Sequence, residues 1–280
     1  MAAKYTGDDF RARFGPWAVI AGGSDGIGEA FARELARRGL NVAAIARRRE
    51  PLESVAADLR ARNGVEARAI ACDLTSAAVA ETIASATRDL DVGLFVYNAG
   101  ANRESRRFLD APIDDALFLE HLSCRGPLLL AHHFGSRLRA RGHGGMILMS
   151  SLASLCGNHY QATYAATKAF DTVFAEGLWH ELAPEGVDVL GVLAGATRTP
   201  TVLSAGGKFQ DAMDPAEVAA GALDHLGKGP NWVPGTANQA IARSLWPVPR
   251  VGLVNAMSRA VAELFDFPHA TVAGVEFHES

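Results

Sequence analysis

The sequence predicts an α/β protein in which helices cover both faces of a doubly wound parallel sheet. Short apolar runs alternate along the chain with amphipathic stretches long enough to form helices. The apolar runs are continuous, whereas a strand with one wet face alternates apolar and polar residues, so we expect strands that are buried on both faces. No linker rich in proline, glycine or serine divides the 280 residues. We therefore expect a single domain over residues 1–280, with a core at about 14–235 and a C-terminal helical extension at about 236–280.

The first half of the sequence predicts four strands and three helices in alternation. The strands are WAVIAG, NVAAIA, EARAIAC and VGLFVYN. The helices EAFARELARRGL, PLESVAADLRARNG and SAAVAETIASATRDL follow the first three strands in turn. Repeated strand–helix units of this size are typical of a parallel sheet with crossover helices.

The second half continues the same pattern. It predicts a long helix at about 113–140, the strand GGMILMS, a helix at about 160–183 and the strand VDVLGVLA. The segment GATRTPTVLSAGGKF separates this strand from the helical stretch DPAEVAAGALDHLG, and WVPG is a candidate for a short last strand. Apolar residues at helical spacing in ANQAIARSLWPVPRVGLVNAMSRAVAELFDF predict two short helices that cover the body, a pocket or a partner subunit.

Composition and charge exclude several classes of function. The formal net charge of −4 gives no electrostatic basis for binding nucleic acid, and no apolar run is long enough to span a membrane. Cys72, Cys124 and Cys156 are widely spaced and odd in number, so we expect buried thiols in the reducing cytoplasm and no disulfides. We expect no metal site, because carboxylates at ligand spacing are missing around the histidines His121, His132, His133, His143 and His159.

A glycine-rich turn joins the first predicted strand to the first helix. Gly22, Gly26 and Gly28 form the pattern G-x-x-x-G-x-G. Glycines allow the chain to turn tightly and its backbone to approach a phosphate, which the N-terminus of the next helix attracts. Glycines alone also fit an ordinary tight turn, but their place between a strand and a helix predicts a Rossmann-type dinucleotide site.

The end of the second strand bears on the choice of dinucleotide. Ala46 supplies no carboxylate for an adenosine ribose, and Arg47 and Arg48 supply positive charge. An arginine at this place accommodates the 2′-phosphate of NADP. The pattern therefore favours NADP over NAD, although Asp25 within the glycine turn is unfavourable to a further phosphate.

Tyr164 and Lys168 are four residues apart on a predicted helix and so share a face. A nearby ammonium group favours the phenolate form of a tyrosine, which suits the tyrosine to proton transfer. Tyr160 lies two helical turns from Lys168, so the spacing favours Tyr164. The same pair also fits the exposed polar face of a helix, and the pattern alone leaves both readings open.

Five motifs in this order resemble those of the short-chain dehydrogenase/reductase family: AGGSDGIG, CDLT, YNAG, YAATK and LAGATRTP. The resemblance implies that Asp73 lies against the adenine of the cofactor. It implies a cofactor site made of three groups of residues: Gly22, Ser24, Asp25, Gly26, Ile27 and Gly28 in the first turn; Arg47, Arg48, Asp73, Leu74, Asn98, Ala99 and Gly100 after the next strands; and Tyr164, Lys168, Gly195, Thr197 and Thr199 in the second half.

The family places its catalytic serine thirteen residues before the tyrosine, which selects Ser151 over Ser150. The resemblance implies that Ser151 bonds the oxygen of the substrate carbonyl or alcohol, and that Tyr164 transfers the proton. Lys168 would lower the pKa of this tyrosine and hold the nicotinamide ribose. NADPH would deliver a hydride to a carbonyl carbon, or NADP would accept one in the reverse direction.

Two positions depart from the family pattern. Ser123 stands where the family has an asparagine that holds a water next to the lysine, and Ala194 stands where a proline is usual. We expect Ser123 to act in the relay with a shorter side chain and to slow turnover without abolishing it. A non-catalytic dinucleotide-binding protein of the same fold is the alternative that the missing asparagine leaves open.

YNAG, the arginines and the C-terminal extension resemble a subgroup that reduces ketosteroids and long-chain keto compounds with NADP. We expect a hydrophobic substrate pocket formed by residues after Ser151, by 158–161 and 199–213, and by Trp246, Leu253 and Met257. The family habit implies a homodimer or homotetramer.

Overall fold

The computed structural model describes residues 4–100, 105–204, 212–245 and 250–266, and in the last range it leaves out the side chains of 250–255, 257 and 258. Seven strands form one sheet: β1 Trp17–Ala21, β2 Asn41–Ala46, β3 Ala67–Ala71, β4 Val92–Tyr97, β5 Gly144–Ser151, β6 Val187–Ala194 and β7 Asn231–Trp232. The helices are α1 Gly7–Phe14, α2 Gly26–Arg37, α3 Arg49–Asn63, α4 Val79–Ala86, α5 Ile113–Glu120, α6 Gly126–Arg141, α7 Ala162–Leu182, α8 Pro200–Ser204, α9 Pro215–His225, α10 Thr236–Ser244 and α11 Arg250–Phe265.

The sheet is parallel throughout and has the strand order β3-β2-β1-β4-β5-β6-β7. The direction in which strands are added reverses between β1 and β4, which leaves a crevice at the carboxyl ends of these two strands. This topology confirms the predicted doubly wound Rossmann-type fold, with helices on both faces of the sheet.

Two apolar cores lie on opposite faces of the sheet, as the continuous apolar runs predicted. Along β1, Ala18 and Ile20 belong to the core covered by α1, α2, α3 and α9. Val19 and Ala21 belong to the core covered by α4, α6 and α7. All four side chains are fully buried, because a strand directs successive residues to opposite faces and both faces are covered here.

The N-terminal helix α1 is absent from the sequence-based prediction. Its sequence GDDFRARF is mostly polar, but Phe10 and Phe14 are one turn apart and fully buried in the first core. The last strand was predicted at WVPG, residues 232–235. In the structure it lies slightly earlier, because β7 consists of Asn231 and Trp232.

The predicted long helix at about 113–140 is interrupted by a π-helical turn at His121–Arg125, between α5 and α6. The phenol of Tyr97, on β4, donates a hydrogen bond to the carbonyl oxygen of Leu122. The Gly126 amide donates to His121 instead, five residues back. A Cβ atom at Gly126 would lie 2.3 Å from Tyr97 Oη, so glycine is needed for this close approach. A side chain that takes over a helix carbonyl is a recognised cause of such a widened turn.

The two predicted C-terminal helices are present as α10 and α11. No helix in the described ranges combines the length and the apolar character that a membrane crossing requires. All three cysteines carry free thiols, and Cys72 and Cys156 are buried whereas Cys124 is partly exposed.

Candidate active site

Two adjoining cavities lie at the carboxyl edge of the sheet. The arginine cavity, of about 290 Å³, is lined by Arg47, Arg48 and Asp73 among others. The tyrosine cavity, of about 180 Å³, is lined by Ser151, Tyr164 and Lys168 among others. The two cavities share Asp25, Asn98, Gly100 and Thr201, so they form one continuous groove. The groove lies where ligands bind in open α/β sheets, beyond the strand ends at the point of reversal.

The groove brings together nearly all of the predicted site residues. Gly22, Ser24, Asp25, Arg47, Arg48, Asp73, Leu74, Asn98, Ala99 and Gly100 line the arginine cavity. The tyrosine cavity is lined by Asp25, Gly26, Ile27, Asn98, Gly100, Ser151, Tyr164, Lys168, Gly195, Thr197 and Thr199. Gly28 and Ser123 are the two predicted residues that line neither of these cavities.

The glycine turn follows β1 and is shaped by close contacts that a side chain would prevent. Gly22 has φ +85°, and a Cβ atom there would lie 2.7 Å from Ala99. A Cβ atom at Gly28 would lie 1.8 Å from the Gly22 oxygen, which accepts a 3.0 Å hydrogen bond from the Asn98 amide. The Asp25 side chain caps no N–H group at the start of α2. The turn therefore presents backbone and a helix N-terminus to the groove, which fits the phosphates of a dinucleotide.

The arginine cavity holds two arginines in different surroundings. Arg48 Nη2 donates to Asp25 Oδ2 at 2.7 Å, and Arg47 Cζ lies 5.8 Å from the centre of the Phe118 ring. The Asp73 carboxylate accepts hydrogen bonds of 2.9 Å and 2.8 Å from the amide and hydroxyl of Thr75. Partial burial acts to raise the pKa of Asp73, but these bonds outweigh it and leave the pKa below its ordinary value.

The two neighbouring serines at the end of β5 have different surroundings. Ser150 is buried, and its Oγ donates to the Lys168 carbonyl oxygen and lies 2.7 Å from Thr172 Oγ1. Ser151 Oγ accepts a 3.2 Å hydrogen bond from the Ala153 amide, which leaves its own proton free to donate. Only Ser151 is therefore arranged to donate to a ligand in the groove.

The two tyrosines also differ in position. Tyr164 lines the tyrosine cavity and also a small neighbouring cavity of about 50 Å³, which Phe108 and Leu119 line as well. Tyr160 lines the small cavity, has φ +63° and stacks on His159 with ring centres 4.1 Å apart. Tyr164 thus lies where the groove and the small cavity meet, beside Ser151 and Lys168.

Lys168, on α7, ends in a buried position between two acceptors. Its Nζ donates to the Met149 carbonyl oxygen at 2.8 Å and to Asp171 Oδ2 at 2.9 Å. Burial acts to lower the pKa of Lys168, but Asp171 and Tyr164 oppose it and the pKa lies above its ordinary value. Burial raises the pKa of Asp171 to about 6, against the attraction of Lys168.

Ser123 lies in the π-helical turn and is almost completely buried. Its Oγ has no hydrogen-bond partner within the described residues. The neighbouring thiol of Cys124 is influenced by both Lys168 and Asp171, which places the turn beside the buried end of the lysine. Ser123 therefore belongs to the surroundings of Lys168 and not to the lining of the groove.

Sequence reasoning missed Asp171, the carboxylate that forms an ion pair with the lysine. The available signal was an acidic residue three positions after Lys168, next to the apolar pair Ala169 and Phe170. Met149 was also missed, since it acts through its backbone oxygen. Thr201 lines both cavities and lies within the predicted pocket segment 199–213.

The described residues contain no group of three or more histidine, cysteine, aspartate or glutamate side chains that could hold a metal ion. Of the predicted pocket residues, Trp246 and the side chains of Leu253 and Met257 lie outside the described residues, as do 205–211.

Comparisons with known proteins agree with this geometry. The model of the short chain dehydrogenase family matches residues 16–207. A 7beta-hydroxysteroid dehydrogenase of Clostridium sardiniense is 33% identical over 239 residues, which are 82% of this chain and 90% of the relative. A very-long-chain 3-oxoacyl-CoA reductase of Podospora anserina is 34% identical over 64% of this chain and 54% of the relative.

Solved structures show the same likeness. One, from work on the stereoselectivity of 7beta-hydroxysteroid dehydrogenase, has a TM-score of 0.83 at 27% identity and covers 89% of this chain and 98% of its own. A short-chain dehydrogenase from Sphingobium yanoikuyae in complex with NADPH has a TM-score of 0.74 at 27% identity. The match covers 94% of this chain and 100% of that protein's chain. Because the family model matches most of its length and a relative with 33% identity spans 82% of it, this chain belongs to the short-chain dehydrogenase family of oxidoreductases.

Proposed function

We propose that this protein is an NADP(H)-dependent oxidoreductase that interconverts a carbonyl group and a secondary alcohol on a hydrophobic substrate. The observation that carries the proposal is the meeting of Ser151, Tyr164 and Lys168 in one cavity that continues into the glycine-turn groove. A proton donor, a second hydrogen-bond donor and a buried cation in one place suit the reduction of a carbonyl.

Each of the three side chains has a distinct part in this chemistry. The Ser151 hydroxyl donates to the substrate oxygen and holds it beside Tyr164. The Tyr164 phenol gives its proton to that oxygen as negative charge develops there, and takes a proton back in the reverse direction. Lys168 places a positive charge behind the tyrosine and favours its phenolate form. The bound nicotinamide supplies or accepts the hydride.

The preference for NADP rests on the arginine cavity. Arg47 and Arg48 provide positive charge at the end of β2, and Ala46 offers no carboxylate to a ribose hydroxyl. Arg48 is already paired with Asp25, so Arg47 is the freer of the two to bind a 2′-phosphate. The NADPH complex of the related Sphingobium yanoikuyae protein supports the same assignment.

The hydrophobic substrate is proposed from the surroundings of Tyr164 and from the relatives. Phe108 and Leu109 are exposed close to the small cavity that Tyr164 and Leu119 line. Apolar side chains exposed at the edge of a pocket mark a surface that binds apolar ligands. The relatives named for hydroxysteroids and very-long-chain 3-oxoacyl-CoA support a ketosteroid or long-chain keto substrate.

We also propose that the protein is a homodimer or homotetramer. Ile113 and Leu117 on α5, Leu128 on α6 and Val173 on α7 are large apolar side chains that are exposed in the single chain. Burial of such residues between copies would remove apolar surface from water.

The proposal is tested by titrating NADPH and NADH into the protein, and then following NADPH oxidation with a panel of ketosteroids, long-chain 3-oxoacyl thioesters and small polar ketones. We expect tighter binding of NADPH and turnover with members of the first two groups. If the protein binds NADPH but neither reduces any of the ketones nor oxidises the corresponding alcohols with NADP, the non-catalytic alternative is supported instead.

A further inference from the structure

We propose that Asp171 is a positioning residue that keeps the ammonium group of Lys168 charged and directs it toward the tyrosine cavity. The proposal rests on the function proposed above for Lys168. Both residues are on α7, three positions apart, and Asp171 Oδ2 lies 2.9 Å from Lys168 Nζ. The two side chains are only 3% and 6% exposed, respectively.

Burial makes this pairing decisive for the charge of the lysine. A buried lysine without a counterion tends to lose its proton, because a low-dielectric interior disfavours the charged form. The pKa of Lys168 is nevertheless raised, and Asp171 is the largest influence that opposes its burial. The carboxylate therefore supplies the charge that keeps a buried ammonium group protonated at neutral pH.

Two ionisable groups that other elements bring to the pair are uncharged near neutral pH. Tyr97 comes from β4, and burial raises its pKa well above the ordinary value. Cys124 comes from the π-helical turn, and burial raises its pKa to about 11. Tyr164 is on the same helix as the pair. Among the groups found to act on Lys168, Asp171 is thus the one carboxylate.

The hydrogen bonds of the ammonium group fix its direction. An ammonium group has three N–H donors in a tetrahedral arrangement. The Met149 carbonyl oxygen and Asp171 accept two of them. A Cβ atom at Gly100, on the wall shared by both cavities, would lie 3.5 Å from the same Nζ. Among the described residues the third donor has no acceptor, so we infer that it is available to a ligand in the groove.

The backbone of Lys168 is held separately from its side chain. Its carbonyl oxygen accepts hydrogen bonds from Ser150 Oγ at 2.7 Å and from Thr172 Oγ1 at 3.1 Å. The bond from Ser150 fastens α7 to the end of β5, and the bond from Thr172 lies within α7. Asp171 is therefore not needed to anchor the helix, and its contact is with the end of the lysine side chain.

The second oxygen of Asp171 indicates a role beyond stability. Oδ1 is buried and has no hydrogen-bond partner within the described part of the chain. A buried carboxylate with one unsatisfied oxygen costs free energy, and burial raises the pKa of Asp171 to about 6. A carboxylate that is held at such a cost against a lysine of the groove lining fits a functional pairing.

The charge of Lys168 can be measured directly, because the chain has only four lysines, Lys4, Lys168, Lys208 and Lys228. Protein labelled with ¹³C-lysine gives few side-chain NMR signals, and Lys168→Arg identifies the one that belongs to Lys168. We expect this signal to show a protonated lysine at pH 10 in the unsubstituted protein. In Asp171→Asn we expect the pKa of Lys168 to fall by about 2 units or more.

A matched control removes a carboxylate from a different lysine. Asp188 lies 3.5 Å from Lys4 Nζ at the amino end of β6, whereas the groove lies beyond the carboxyl ends of the strands. Asp188→Asn should change the Lys4 signal and leave the Lys168 titration as it was. A Lys168 pKa that is unchanged in Asp171→Asn, or moved equally by Asp188→Asn, would overturn the proposal.

Turnover provides an independent readout. We expect the alkaline limit of the pH profile of kcat to move to lower pH in Asp171→Asn, and to be restored in part by Asp171→Glu. If Asp171→Asn does not fold, the Lys168 titration is compared between Asp171→Glu and the unsubstituted protein. A Lys168 that is deprotonated at pH 10 in the unsubstituted protein contradicts the proposal. If no ketone is turned over, the proposed function fails, whereas the lysine titration still tests the role of Asp171.

Discussion

Ser150 Oγ donates a 2.7 Å hydrogen bond to the carbonyl oxygen of Lys168. The adjacent Ser151 lines the tyrosine cavity together with Ser150, but its hydroxyl donates to no acceptor among the described residues. Two serines that are neighbours in sequence therefore differ in function. The first joins β5 to α7 and fixes the backbone of the lysine. The second is arranged to bind the oxygen of a substrate.

This difference predicts opposite effects of two alanine substitutions. Ser151→Ala should lower kcat/KM by about 10²-fold or more, because it removes a donor to the developing negative charge, and should leave stability nearly unchanged. Ser150→Ala should lower the free energy of unfolding by about 1–3 kcal/mol, because it leaves Lys168 O and Thr172 with fewer partners, and should reduce the rate less than tenfold. Urea unfolding and steady-state kinetics on both variants check this, and equal kinetic losses would contradict it.

The arginine cavity predicts a change in cofactor preference. Arg47→Ala should raise the KM for NADPH by about tenfold or more, because a charge-assisted bond to the 2′-phosphate is lost, and should change the KM for NADH little. Arg48→Ala should have a smaller effect, since Arg48 is already paired with Asp25. Kinetics with both cofactors measure the effects. If Arg47→Ala raised the KM for NADPH and the KM for NADH by the same factor, Arg47 would not recognise the 2′-phosphate.

Substitution of Ser123 should affect turnover and stability differently. Its buried Oγ has no hydrogen-bond partner among the described residues, so Ser123→Ala should leave the free energy of unfolding unchanged or slightly higher. If the hydroxyl takes part in the relay beside Lys168, kcat should fall and its pH profile should move. Thermal unfolding and kcat as a function of pH measure both effects. An unchanged rate at every pH would remove Ser123 from the mechanism.

The exposed apolar residues predict an oligomer. Light scattering after size exclusion should give the mass of a dimer or tetramer of the 29.6 kDa chain. The double substitution Leu128→Glu and Val173→Glu should produce smaller species, because charged groups would be buried between copies. Ile241→Glu, at an exposed apolar residue on α10, is the control and should leave the mass unchanged. A monomer at all concentrations would contradict the proposed assembly.

The fold and most of the groove were predictable because they depend on local patterns. Mostly apolar runs define β1 to β6, and glycines such as Gly22 occur where the backbone must turn against Ala99. The positions of Tyr164 and Lys168 follow from helical spacing. These features are set within a few residues of one another along the chain.

The missed features depend on contacts between distant parts of the chain. The π-helical turn exists because the phenol of Tyr97 reaches Leu122, and nothing near residue 122 indicates this. Helix α1 is held by two phenylalanines in a core built by other elements. Asp171 resembles an exposed helical carboxylate in sequence, and only the packing of α7 against the π-helical turn and the sheet buries it beside Lys168.

The proposed function requires Tyr164 to be the proton donor to a ketone, and substitution of the two tyrosines tests this role. NADPH oxidation is measured with the best ketone for the unsubstituted protein, Tyr164→Phe and Tyr160→Phe, together with NADPH binding to each. We predict that Tyr164→Phe binds NADPH normally and loses about 10²- to 10⁴-fold in kcat, whereas Tyr160→Phe keeps most of its rate. Normal turnover by Tyr164→Phe, or an equal loss in both variants, would contradict the account.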